Sequence, residues 1–387
     1  MEDWALANQS ARSDSYILSS WLFLRLLGLI YCAAFVSLAT QVKGLVGQRG
    51  ILPARDFLLA KQNWGASRFL QIPTLCWWSA TDGMLQFLCW GGALLSLFLV
   101  AGLAPVPVLI LLWLFYLSLF TVCRVFLGYQ WDILLLETGF LAIFIAPFEV
   151  LPRIVHAAAP SSVIRWLLWW LLFRLMFSSG FVKLRSRDRN WRNLTALKYH
   201  YETQPLPTWT AWYMHQLSGW FHKLSAVVMF AIELVAPVFV FAPPPLSYIA
   251  GGAFGLLMLL IMATGNYCFF NLLGLALSTL VFDDAAWAWL FARLLPGVES
   301  FATTARDGGW PLGITVPVAL VISLVSAEVM GRLFRIRTRW PRPIDRLLVW
   351  LDPFRLVNGY GLFAVMTTER TEIVIEASCN GVEWQEY

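Results

Sequence analysis

The chain has only four histidines, and three of them lie close together in the sequence. His200, His215 and His222 are separated by 15 and 7 residues. Imidazoles can bind zinc, but the His-x-x-x-His pair of a zinc helix is absent and few carboxylates lie nearby, so we predict no metal site. The sequence also contains no nucleophile elbow, phosphate loop or dinucleotide fingerprint, and we predict no cofactor.

A second chemical group consists of polar side chains inside or beside apolar runs. An ionisable group at membrane depth costs about 2.5–3.5 kcal/mol on insertion scales, so each one needs a partner or a function. The main candidates are Arg25, Asp132, Glu137, Arg174, Lys183, Glu233 and Glu328. We place the uncharged residues Asn266 and Asn271 in the same group of intramembrane polar residues.

Two of these charges are expected to meet. Glu137 and Arg174 lie on consecutive apolar runs joined by a short connection, so the two helices should be antiparallel neighbours and the side chains should form a buried ion pair. The alternative is a proton or substrate site. Lys183 lies near the end of its run, where a lysine can extend its ammonium group to the membrane surface.

The composition identifies the class of protein that must position these residues. Of the 387 residues, 59% are hydrophobic and 13% are charged, and the mean hydropathy is +0.66. A soluble domain carries about 25% charged residues. The composition therefore excludes a water-soluble enzyme, a disordered chain and a nucleic-acid-binding protein, and it favours a chain that crosses a bilayer many times.

We predict an all-α polytopic membrane protein with about nine transmembrane helices, because a helix needs about 20 apolar residues to cross the hydrocarbon core. The last run but one is interrupted by Asp283 and Asp284. The runs are 17–42, 84–103, 106–127, 131–151, 163–184, 224–242, 247–264, 267–291 and 311–331.

Three parts of the chain differ from the apolar runs. Residues 1–16 form a polar tail, and residues 185–223 form a long aromatic connection within a helical domain that covers 17–331. Residues 332–387 are expected to form an extramembrane segment, an incomplete β-rich domain. Within it, Asn358-Gly359 is a turn signal and residues 371–376 alternate in polarity, which together predict a β-hairpin.

The positive charges predict an orientation. With nine spans, the segments 43–83, 185–223 and 332–387 share one side of the membrane and hold most of the lysines and arginines, whereas Arg12, Arg153, Arg293 and Arg306 lie opposite. The positive-inside rule would place the basic segments in the cytoplasm.

The connection 185–223 is the least generic part of the chain. It is rich in tryptophan and tyrosine, whose amphipathic rings favour the headgroup layer. Pro205 and Pro207 keep part of it extended and remove two backbone donors. We expect an interfacial, partly re-entrant aromatic loop.

This loop resembles the signature of the lipase maturation factor family. The resemblance rests on Trp191–Leu197 and Tyr199–Pro207, followed by Trp212-Tyr213-Met214-His215. Shorter matches extend from about residue 20 to the end of the chain. They are Gly47–Pro53, Leu134–Leu141, Gly265–Tyr267 with Phe270-Asn271, Phe282–Asp284, Val357–Phe363 and Thr368–Arg370.

The resemblance implies a multi-pass membrane protein that helps secreted or lumenal clients, such as dimeric lipases, to fold. Its membrane would be that of the endoplasmic reticulum in a eukaryote and the cytoplasmic membrane in a bacterium. The loop would then face the lumen, opposite to the charge rule. The signature residues expected to bind a client are Trp191, Tyr199, His200, Tyr201, Glu202, Gln204, Pro205, Pro207, Trp212 and His215.

A fainter similarity links Ser179–Leu184 to the vitamin K-dependent gamma-carboxylase family of the HTTM superfamily. That family uses a lysine at the position matching Lys183 as its catalytic base. A desolvated lysine at a membrane edge can be neutral near pH 7, which makes such a role chemically reasonable.

Two functional hypotheses remain. The first is a non-catalytic membrane scaffold whose aromatic loop and C-terminal portion hold a folding client, with membrane lipids around it. The second is an integral membrane enzyme that uses Lys183 as a general base, with His200 or His215 nearby, on a lipid or quinol-like substrate.

Overall fold

Long apolar runs form helices of membrane-spanning length in the computed structural model, which describes residues 15–151, 159–294, 309–336 and 338–387. Most of the polar tail, together with Arg12, Arg153 and Arg306, lies outside the described residues. The helices named below are α1 (Ile17–Val46), α2 (Asp82–Ala101), α3 (Pro105–Phe126), α4 (Gln130–Ile145), α5 (Ser162–Arg185), α6 (Gly219–Phe239), α7 (Leu246–Thr264), α8 (Phe270–Thr279), α9 (Asp284–Leu294), α10 (Leu312–Phe334) and α11 (Arg342–Leu351).

Seven of these helices are long and apolar enough to cross a membrane, within the part of the chain that is described. The count becomes eight if α8 and α9 form one broken span. The chain is therefore a helical, multi-pass membrane protein, and the expected number of about nine spans is approximate.

Two of the predicted runs deviate from a full, straight span. The run 131–151 forms α4, which has only 16 residues. The run 267–291 is divided into α8 and α9, which are bent by 101°. The two acids that interrupt this run lie at the bend. Asp284 accepts hydrogen bonds from the backbone N–H groups of Ile17 and Leu18, and Asp283 accepts one from the backbone N–H group of Ala286. Each carboxylate therefore satisfies backbone donors at a helix N-terminus.

The core is one continuous cluster of buried side chains, and a large part of it lies between α1, α2, α3 and α4. Helix α1 packs along α2, and its buried aromatic rings Phe23, Tyr31 and Phe35 face the neighbouring helices. Tyr31 and Phe35 both contact the ring of Tyr116 on α3. Tyr116 in turn donates a 2.6 Å hydrogen bond to the buried carboxylate of Asp132 on α4.

The connections contain short helices. The first long connection holds helices Ala54–Leu59 and Arg68–Gln71 with 3₁₀ turns Gln62–Ser67 and Leu75–Trp77. The aromatic connection 185–223, called the signature loop below, is helical in large part. It holds Arg189–Arg192, Ala196–Thr203, Trp209–His215 and the first turn of α6.

The C-terminal segment contains α11, a 3₁₀ turn Asp352–Phe354 and a two-stranded antiparallel sheet of β1 (Glu376–Ala377) and β2 (Gln385–Glu386). The predicted hairpin is wrong in detail, because residues 371–375 form no strand and Asn358-Gly359 is not the turn. Instead, the buried side chain of Asn358 binds the helical core. Further along, Gly361 has φ +143°, and a Cβ there would be 2.6 Å from Cγ2 of Val182 on α5.

Candidate functional site

Glu137 and Arg174 form a buried ion pair between α4 and α5, as their positions on neighbouring helices predict. The C-terminal segment completes this pair. Asn358 donates to Glu137 Oε2 from its backbone N at 2.8 Å and from its side chain at 3.2 Å. The Tyr360 hydroxyl donates to the same oxygen at 2.7 Å, and Arg174 Nη1 donates to the Asn358 carbonyl at 3.0 Å.

This cluster has a structural role. Both carboxylate oxygens of Glu137 accept hydrogen bonds, and all four side chains are at least nine-tenths buried. A buried charge is tolerated when it is paired and hydrogen-bonded in this way. Among the buried side-chain atoms of this cluster, only Nε of Arg174 has no hydrogen-bond partner within the described residues.

Lys183 forms the second buried ion pair. Its Nζ lies 2.7 Å from each carboxylate oxygen of Glu233 on α6, and the lysine is only 5% exposed. The ammonium group also lies 5.4 Å from the centre of the Trp191 ring. The interpretation that Lys183 extends to the membrane surface is therefore wrong, because Glu233 offers it a partner inside the protein.

Local sequence brings this pair together. Glu233 lies in a π-helical turn, Ala231–Val235, within α6. Pro237 has no N–H and cannot donate the α-helical hydrogen bond to the carbonyl of Glu233, which favours the change in register. On α5, Gly180 lies one turn before Lys183 and allows α6 to approach closely.

The Lys183–Glu233 pair lies on the wall of a cavity of about 380 Å³. Transmembrane helices α5, α6 and α7 form part of its wall, and residues of the signature loop and of the C-terminal segment close it from other sides. Its polar lining residues are Ser179, Lys183, His200, Tyr201, Ser225, Glu233, Thr264, Tyr267 and Asn271. The remaining lining is apolar, including Met176, Leu197, Met214, Leu224, Val228, Leu257, Leu260, Ile261 and Phe363.

His200 belongs to a hydrogen-bonded chain at this cavity. The Tyr267 hydroxyl donates to Gln204 Oε1 at 2.8 Å and lies 3.1 Å from His200 Nε2. The Tyr267 hydroxyl has one proton, which it donates to Gln204. Nε2 of His200 must therefore be protonated and donate to the Tyr267 oxygen, which leaves Nδ1 of the neutral ring as an acceptor. Burial and the charge of Lys183 lower the pKa of His200 to about 4, so the imidazole is neutral at pH 7.

Asn271 is a buried polar side chain on the cavity wall. It is 2% exposed and lines the cavity. Its Oδ1 atom has no hydrogen-bond partner among the described residues. Buried amides are normally hydrogen-bonded, so this one indicates a site that can accept a polar group. Asn266, by contrast, is exposed in the break between α7 and α8.

The structure divides the signature residues into two groups. Trp191, Tyr201 and Gln204 are buried, and they fasten the loop: Trp191 Nε1 donates to the Phe363 carbonyl at 2.8 Å, and Gln204 Nε2 donates to the Thr264 carbonyl at 2.8 Å. Tyr199, His200 and His215 are partly buried, and His215 pairs with Glu202 at 3.5 Å. The residues exposed to a partner are Glu202, Pro205, Pro207 and Trp212.

Several partners at these sites could not be anticipated from the sequence. Tyr267 and Tyr360 lie in motifs that contributed only to the family resemblance, Asn358 lies in the predicted turn, and Gly180 lies in the short segment that resembles the gamma-carboxylases. The sequence feature that could have pointed to each of these residues is a polar residue or a glycine inside an otherwise apolar motif. Their partners could not be assigned, because each lies far away in the chain.

Comparison with known proteins agrees with the motifs. The family model described as "Lipase maturation factor transmembrane domain" matches residues 18–289. Lipase maturation factor 2 of Mus musculus is 46% identical over 78% of this chain and 44% of its own length. Lipase maturation factor 1 of Bos taurus is 33% identical over 97% of this chain and 71% of its own length.

The chain spans less than half the length of the mouse and human lipase maturation factor 2 proteins that it matches. No solved structure matches it. The family match covers more than half of the chain, and it includes the helices that carry both buried ion pairs and the signature loop. The chain therefore belongs to the lipase maturation factor family.

Proposed function

We propose that this chain is a membrane-embedded maturation factor that assists the folding or assembly of secreted client proteins such as lipases. Its family membership and the names of its relatives support this role. The observation that carries the proposal further is a set of exposed aromatic side chains on the signature loop. They are Trp209 (77% exposed), Trp212 (61%), Tyr213 (59%) and Trp220 (68%).

These side chains form a surface suited to a partly folded protein. Large exposed apolar patches mark interaction sites, and tryptophan and tyrosine contribute strongly to binding. The buried residues Trp191, Tyr201 and Gln204 hold the loop against the helices. The C-terminal segment lies beside the loop, because Thr203 donates to the Thr367 carbonyl at 2.9 Å, so both parts can contact one client.

The test co-expresses the chain with a secreted lipase. The variant Trp209→Ser/Trp212→Ser/Trp220→Ser should lower both co-purification of the lipase and secreted lipase activity. Trp78→Ser is the control, because Trp78 is 82% exposed but lies in another connection. Unchanged lipase yield with the triple variant, at equal protein in the membrane fraction, would contradict the proposal.

The client-binding role also implies a location. We place the chain in the endoplasmic reticulum membrane of a eukaryotic cell, or in the cytoplasmic membrane of a bacterium, with the signature loop on the side that receives secreted proteins. Epitope tags beside residues 200 and 387 should then resist an external protease in sealed microsomes. Cleavage of both tags without detergent would reverse this orientation.

A second candidate function is that of a membrane enzyme acting on a lipid or quinol-like substrate. Its supporting observation is that Lys183 on α5 and His200 in the signature loop line one cavity. Lys183 would have to give up the proton that it shares with Glu233 before it could act as a base. The variant Lys183→Met/Glu233→Met removes both charges together. A scaffold should retain lipase maturation per folded molecule, whereas an enzyme should lose it.

A further inference from the structure

The cavity beside the Lys183–Glu233 pair has access to the bilayer. Leu224 and Val228 on α6 and Leu260 on α7 line it and are each about half exposed. Both helices are long and apolar enough to span a membrane, so in a bilayer we expect the exposed parts of these side chains to contact lipid. At about 380 Å³ the cavity has the size of a small-ligand site. An apolar chain can therefore enter from the membrane between α6 and α7.

The polar side chains on the inner wall of the cavity favour a ligand group that both donates and accepts hydrogen bonds. Oδ1 of the Asn271 amide has no hydrogen-bond partner within the described residues, and an amide offers a donor on its nitrogen as well as this acceptor. His200 has Nδ1 available as an acceptor. Lys183 uses two of its three N–H groups on Glu233, which leaves one donor. A hydroxyl group matches this combination.

The charges at the site disfavour an anion. Lys183 and Glu233 neutralise each other, so the pair adds no net charge to the cavity wall. A carboxylate ligand only accepts hydrogen bonds, and it would lie near the Glu233 carboxylate. It would also leave the acceptors of Asn271 and His200 without a donor, which costs free energy in a buried site. A neutral hydroxyl head group carries no charge next to Glu233, and its O–H can donate to one of these two acceptors.

We propose that this cavity binds a neutral, single-chain lipid with a hydroxyl head group. The hydroxyl lies among Asn271, His200 and Lys183, and the chain extends between α6 and α7 towards the bilayer. Such a lipid would fill a site that the client-binding surface does not use, so this inference is independent of the proposed client-binding role; it names a ligand class for the cavity of the second candidate function.

The test uses the full chain in phosphatidylcholine nanodiscs with a photoactivatable monoacylglycerol and the fatty acid probe of the same chain length. The monoacylglycerol probe should label peptides of α6 and α7, as mapped by mass spectrometry. Unlabelled monoacylglycerol should compete about tenfold better than the fatty acid, because one or two hydrogen bonds differ. Equal or better competition by the fatty acid overturns the proposal.

Matched variants connect the labelling to the cavity. Asn271→Leu should reduce monoacylglycerol labelling about tenfold, whereas Asn266→Leu, on an exposed asparagine outside the cavity, should not. Ser225 lines the cavity from a half-buried position, so Ser225→Phe should fill part of the cavity and reduce labelling while Asn271 is unchanged. This variant keeps the test valid if Asn271→Leu unfolds. Equal labelling of the wild type and the Ser225→Phe variant overturns the proposal. Lipase co-purification is measured in parallel, so failure of lipid binding and failure of client binding give different results.

Discussion

Gly180 on α5 lies so close to Glu233 on α6 that a Cβ atom built on Gly180 would be 2.9 Å from the Cβ of Glu233. Any side chain at position 180 would separate the two helices. Lys183 lies one turn further along α5, so the same separation would lengthen its ion pair with Glu233. The glycine, the π-helical turn and the lysine therefore act as one unit.

The first prediction concerns this close approach. Gly180→Ala should lower the free energy of unfolding by about 1–3 kcal/mol, as overpacking does. Gly252→Ala is the matched control, because Gly252 is also helical but a Cβ atom there would have no neighbour within 4 Å. It should be neutral or stabilising by about 0.5–1 kcal/mol through helix propensity. Thermal unfolding in detergent compares them, and equal effects would refute the prediction.

The second prediction concerns the Lys183–Glu233 pair. Lys183→Met should destabilise the protein by about 3–5 kcal/mol, because it leaves the carboxylate of Glu233 buried and unpaired. Lys183→Met/Glu233→Met should cost clearly less than the sum of the two single variants. A double-mutant cycle measures this coupling. Additive effects would show that the two charges do not stabilise each other.

The third prediction concerns Glu137. Glu137→Gln should cost about 3–5 kcal/mol, because Arg174 would remain charged inside the core without its partner. Glu202→Gln provides the comparison, since its pair with His215 lies at the surface and should contribute less than about 1 kcal/mol. Chemical unfolding in mixed micelles distinguishes the two. A similar loss in both variants would argue against the structural role of Glu137.

The fourth prediction is a pH dependence that comes from His200. Its pKa is lowered from the usual 6.5 to about 4 in the folded protein, chiefly by burial. The unfolded chain therefore binds more protons between these values, so the contribution of His200 to stability is complete above pH 6.5 and is lost as the pH falls towards 4.

The measurement is the melting temperature of the wild type and of His200→Gln between about pH 7.5 and about pH 4.5, a range that spans most of the titration. The difference between the two proteins should change in favour of the variant as the pH falls, because the glutamine takes up no proton. His215→Gln is the control substitution, because His215 does not line the cavity. Parallel curves for the wild type and His200→Gln would exclude this mechanism.

Much of the fold could be predicted from apolar runs, because their length and spacing reflect the bilayer directly. Glu137 and Arg174 could also be paired, since a short connection makes their helices neighbours. Glu233 could not be assigned to Lys183 in the same way. Fifty residues separate them, and the π-helical turn changes which face of α6 Glu233 occupies.

The C-terminal segment shows a local sequence signal that gave a wrong prediction. Asn358-Gly359 is a strong local turn signal, but the tertiary contact overrides it: Glu137, 221 residues earlier, needs donors that the Asn358 backbone and side chain supply. The cavity was equally inaccessible to sequence reasoning. His200, Tyr267 and Asn271 meet there only because the signature loop folds back over the helices that flank it.

The position of Asn358 in the chain has a consequence for the order of synthesis. Helices α4 and α5 leave the ribosome long before residues 358–360, so Glu137 and Arg174 enter the membrane without three of the donors and the carbonyl acceptor that complete their pair. The core of the described helices is thus finished by a late-arriving segment. Until Tyr360 has been synthesised, the Glu137–Arg174 pair therefore lacks these hydrogen-bond partners.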